Sequence, residues 1–103
     1  MNDAALHPAL ELTAAMLAAA DAGAWDEVAE LASRRHGCLQ TALSGDAWRL
    51  QPRMVQGLQQ ILAADRQLAE GAARARLQTA DALRELRGGT RMQDAYAAHA
   101  ALG

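Results

Sequence analysis

This chain has almost nothing from which to build a strand. Of its 103 residues, 27 are Ala and 15 are Leu, while Val and Ile together supply 3, Thr 4 and Phe none. Strands draw on β-branched and aromatic side chains. Ala and Leu lose little on entering a helix. The composition therefore predicts an all-α protein of one small domain. Its core is expected to be thin, because the bulkier apolar residues (Leu, Ile, Val, Met, Trp, Tyr) number only 25 and Ala buries little area. Apolar faces left over for a partner or a second copy follow from that shortage.

Other classes fall away quickly. No run approaches the roughly 18 consecutive apolar residues that a membrane span needs. The opening residues MNDAALHP lack a basic signal-peptide region. The single Cys forms no internal disulfide and belongs to no CxxC spacing. A cytoplasmic location is the expectation. The net charge of −2 does not favour nucleic acid. Charge is unevenly spread: six acids and no base occupy residues 1–33, and all ten Arg lie in residues 34–91. That asymmetry suits antiparallel helices lying against one another.

Helical periodicity predicts the elements. A first helix over about 4–22 carries Leu6, Leu10, Thr13 and Leu17 on one stripe, and Gly23 stops it. A second, about 25–43, begins at Trp25 with Asp26, Glu27 and Glu30 near its positive end. Its stripe is Trp25, Val28, Leu31 or Ala32, Leu39, and Ala42 or Leu43. Residues 46–51 read as a turn whose Trp48 and Leu50 tuck against the bundle end. Pro52 opens a long third helix over 52–87. Its stripe is Met54, Leu58, Ile61 or Leu62, Asp65, Leu68, Ala72, Ala75, Thr79, Ala82 or Leu83, and Leu86. Gly88-Gly89 is the expected break before a short C-terminal helix or lid in 88–103, too short to hold alone in water. The expected architecture is a small antiparallel bundle of three to four helices.

Little in the chain points to chemistry. His7, His36 and His99 stand without a second His or Cys at metal-ligand spacing, and no Glu has a His three residues on. No metal or cofactor is expected. Cys38 reads as a small buried hydrophobe. No nucleophile–base pair or paired carboxylates emerge, so the chain is not expected to be an enzyme. The arginines of the third helix are interleaved with no aromatics, which argues against single-strand recognition. Asp65 alone breaks a local rule, falling on an apolar stripe. It either sits at the stripe edge facing water or an Arg, or is a polar group set within a helix interface.

Four segments taken in order carry a resemblance. They are Ala22-Gly-Ala-Trp25-Asp26 between two Ala/Leu-rich helices, Leu31-Ala-Ser-Arg-Arg35 leading to Leu39, Ile61-Leu62-Ala-Ala-Asp65-Arg66-Gln-Leu68, and Leu86-Arg87-Gly88-Gly89 before Ala95-Tyr96. Together they resemble the flagellar export chaperone FliT family over nearly the whole chain. The resemblance implies a cytoplasmic helical chaperone of flagellar type III export. It implies binding to the C-terminal region of the filament cap protein FliD. Export-ATPase components and, in some bacteria, the flagellar master regulator are further implied partners. It also implies a C-terminal helix that folds over the binding surface and inhibits it.

On this reading a client helix docks on the second and third helices, with Leu58, Ile61, Leu62, Asp65 and Leu68 as the partner-binding residues. Met92, Tyr96 and Leu102 are the lid contacts. The other reading, from a different class, is a self-associating structural bundle in which a homodimer completes the thin core.

Overall fold

The computed structural model describes the backbone of residues 3–102 and, within it, the side chains of residues 4–89 and 97. Among these residues there are three α-helices and no strand: α1 (Asp3–Asp21), α2 (Trp25–Ala42) and α3 (Pro52–Leu102), with a 3-10 turn at Ala47–Leu50 between α2 and α3. The all-α bundle predicted from composition is the observed fold.

The α1–α2 turn follows from one glycine. Gly23 has φ +74°, a conformation that a Cβ disfavours. Its amide donates to the Ala20 carbonyl at 2.9 Å, and the Ala24 amide donates to the Ala19 carbonyl at 2.8 Å. This pair of bonds is a Schellman cap. It reverses the chain within three residues, so α2 returns along α1. Helix α2 then starts with Asp26 and Glu27 in its first turn, where carboxylates meet the positive end of the helix dipole. Pro8 lies inside α1, further in than the first turn.

Residues 1–72 form one compact unit. Its core consists of two clusters. In the first, Leu6, Ala9, Met54 and Ile61 are buried, with Leu10, Cys38, Leu39, Leu43, Trp48 and Leu58 packed around them. In the second, Met16, Ala19, Val28 and Leu68 are buried, with Leu17, Trp25 and Leu31 against them. Both clusters draw on all three helices. Gly57 permits close approach of α1 and α3, since a Cβ there would collide with the Leu6 side chain. The turn after α2 behaves differently from expectation at one residue. Trp48 does pack against the first cluster, but Leu50 is 87% exposed. A 3-10 turn of four residues points successive side chains in different directions, and Trp48 takes the inward one.

Residues 73–103 form a second compact unit. Within it Leu77, Leu83 and Leu86 are exposed. Thr79 donates its hydroxyl to the Ala75 carbonyl at 3.0 Å, and Arg84 pairs with Asp81 three residues earlier.

The expected stop at Gly88-Gly89 does not occur: α3 continues through both glycines to Leu102. Neither glycine has a positive φ, unlike Gly23 and Gly45, so no left-handed cap forms. Each glycine disfavours a helix by only about 1 kcal/mol relative to Ala. No proline follows to enforce a stop.

Candidate functional site

The interface of α2 with α1 and α3 holds the most organised group of polar side chains in residues 1–72. Arg35, from the middle of α2, donates from Nη1 to Asp65 Oδ1 at 2.8 Å and from Nη2 to Asp65 Oδ2 at 3.2 Å. The same Nη1 donates to Thr13 Oγ1 at 3.1 Å. Thr13 in turn donates its hydroxyl to the Ala9 carbonyl at 2.8 Å. The Arg35 side chain is 11% exposed and that of Asp65 42%. A planar guanidinium matches a carboxylate in this two-bond geometry. Among the described ion pairs this one links two helices. His7–Glu11, Arg34–Glu30, Arg49–Asp46 and Arg84–Asp81 are local, at spacings of three or four residues. Among those local pairs the acidic first third meets the basic later part only at Glu30–Arg34, within α2. The linking pair runs instead from a base on α2 to an acid on α3.

Each residue expected at a binding surface has a definite place. Ile61 and Leu68 are core residues, 4% and 8% exposed, one in each cluster. Leu58 packs partly buried on the first cluster. Asp65 is held by Arg35. Leu62 is 58% exposed and is the member of the set with most of its side chain open to solvent. One stripe residue in two being core is what a three-helix unit with few bulky side chains demands. The proposed lid residues Met92, Tyr96 and Leu102 have side chains outside the described residues.

Arg35 and Thr13 were not singled out from sequence as partners of Asp65. A signal for them exists. The α2 stripe steps from Ala32 to Leu39 with its missing position at Arg35, and Thr13 is the polar member of the α1 stripe. Within residues 1–72 each of the three apolar stripes is broken once by a polar residue, which suggests that the three breaks meet.

A cleft of about 550 Å³ opens between the start of α1 and the start of α3, lined by Leu6, His7, Leu10, Gln56 and Gln60 among others. Its walls mix apolar and amide groups. Among the described residues no group of three His, Cys, Asp or Glu side chains could hold a metal ion, and no helix is long and apolar enough to cross a membrane.

The class that this geometry defines is an all-α helical bundle with a polar contact across its helices and leucines open to solvent. The family model described as "Flagellar protein FliT" matches residues 4–98. The chain belongs to the FliT family of flagellar export chaperones, which is not a known enzyme family. No curated protein and no solved structure matches it.

Proposed function

We propose that this chain is a cytoplasmic chaperone of flagellar type III export that binds the C-terminal region of the filament cap protein FliD and keeps it export-competent. The observation that carries this is the family match across residues 4–98. Export-ATPase components and the flagellar master regulator are further proposed partners of the same chain. The exposure of Leu62 supports a docking surface on α3. An amphipathic client helix would first meet Leu62, with Leu58 and Asp65 beside it. It would reach Ile61 and Leu68 only by displacing α1 from them, since both now contribute to the clusters that α1 closes.

We propose as regulation that α3 can break at Gly88-Gly89 and fold residues 88–103 back, through Met92, Tyr96 and Leu102, over that surface as an inhibitory lid, an arrangement other than the continuous helix. A segment of this length is too short to hold as a helix alone in water, so a client could displace it.

Calorimetric titration with the C-terminal segment of the cap protein tests both parts. Full-length and 1–88 forms are compared, together with Tyr96→Ala. Saturable one-to-one binding is expected, several-fold tighter for the truncated form and for Tyr96→Ala. Equal or weaker binding by both would remove the lid. Absence of binding by every form, with a soluble peptide, would remove the chaperone role and leave a self-associating bundle, recognised by a melting temperature that rises with concentration.

A further inference from the structure

The Thr13–Arg35–Asp65 group lies at one level of the bundle and separates its two core clusters. On α1 the first cluster uses Leu6, Ala9 and Leu10, then Thr13 intervenes, and the second uses Met16, Leu17 and Ala19. On α2 Arg35 falls between Leu31 and Cys38, and on α3 Asp65 falls between Ile61 and Leu68, with the clusters arranged on either side. No buried residue is shared by the two clusters. Each helix therefore contributes one polar residue to the same layer.

Apart from the close approach of Gly57 to Leu6, the apolar residues around this layer specify register poorly. Ala9, Ala19 and Ala64 are buried at 0%, 7% and 6% exposure, so smooth, small side chains occupy much of the helix contact. The α3 stripe repeats by heptads, with Leu58, Asp65 and Ala72 seven residues apart. Sliding α3 by one heptad, about 10 Å at 1.5 Å per residue, would set Leu58 or Ala72 at the level of Arg35. In the direction that brings up Ala72, Leu68 and Ile61 would replace Ile61 and Met54, while Ala64 in the place of Gly57 would press its Cβ on Leu6. Asp65 would enter an apolar cluster, and Arg35 would lose both carboxylate bonds while almost wholly buried. A buried charge without its partner is strongly unfavourable.

We propose that Thr13, Arg35 and Asp65 are a register-setting layer, whose role is to make slipped packings of these Ala-rich helices unfavourable rather than to add stability to the correct one. The desolvation of Arg35 offsets much of what its bonds contribute, as for other buried ion pairs. The benefit lies in the gap to the alternatives, as with single polar residues in coiled-coil seams. This does not depend on what the chain binds.

The test uses the full chain with a nitroxide label on Gln60→Cys in a Cys38→Ser background. Gln60 is exposed and lies on the cleft beside Ala4, His7 and Leu10. In the parent the broadening of α1 amides should be strongest at that level and fall off along the helix. Asp65→Ala should raise the unfolded fraction about tenfold to a hundredfold, by leaving Arg35 without its partner. The apolar variant Thr13→Val/Arg35→Met/Asp65→Leu should melt no lower than the parent. Its broadening should spread to α1 amides about seven residues further on, or its amide resonances should multiply. Arg35→Met/Asp65→Leu, which keeps Thr13, is the second variant and should behave alike. A single parent-like broadening pattern in both variants would overturn the proposal. So would a lower melting temperature, or failure to fold, in both, because the layer would then be a stabilising contact.

Discussion

Met54 and Leu50 show how unequal apolar residues are here. Met54 is 1% exposed and central to the first cluster. Met54→Ala should lower stability by about 2–5 kcal/mol, the range for emptying a packed site. Leu50→Ala should change it by less than about 0.5 kcal/mol, as for surface positions generally. Urea denaturation followed by circular dichroism checks both. Sequence could not separate these two, because a side chain's direction in a four-residue turn has no period to read. Asp65 was legible as an exception on its stripe that could pair with an Arg, but not as the partner of Arg35 in particular. Its partner lies 30 residues away, and which helix faces which follows from packing rather than spacing.

Glycine inside α3 acts through two opposed effects at the level of the helix. Gly88→Ala and Gly89→Ala add Cβ atoms that meet nothing within 4 Å, so each should stabilise the helix by about 1 kcal/mol. Gly57→Ala gains the same propensity but drives its Cβ into Leu6, which is itself buried at 1% exposure. Overpacking of about 1–3 kcal/mol should outweigh the gain and lower the melting temperature. Thermal melts of the three variants check the reversal of sign. The starts of α2 and α3 were readable from Trp25-Asp26 and Pro52, since dipole and proline rules act within one turn. The course of α3 past residue 87 was not. A Gly-Gly pair weakens a helix without ending it, and only a left-handed cap or a proline makes the stop obligatory.

For the molecule as a whole, the fold class was plain from the scarcity of β-branched and aromatic residues, and the family from four weak motifs in order. A binding surface was less legible because an apolar stripe looks the same whether it closes a core or receives a partner. Leu62 separates the two cases. Leu62→Glu should leave stability within about 0.5 kcal/mol and weaken cap-protein binding about tenfold or more. Parallel urea melts and calorimetry would show that division. Unchanged affinity would move the docking surface away from this part of α3.

The division of the core has a spectroscopic consequence. The chain has two tryptophans. Trp48 packs on the first cluster and Trp25 on the second, so indole emission is already apportioned between the halves. Trp25→Leu and Trp48→Leu would each leave one indole to report the hydration of its own cluster. Coincident denaturation curves would mean that the halves melt as one cooperative body. Separated midpoints would show that the polar layer is also a boundary across which melting does not spread.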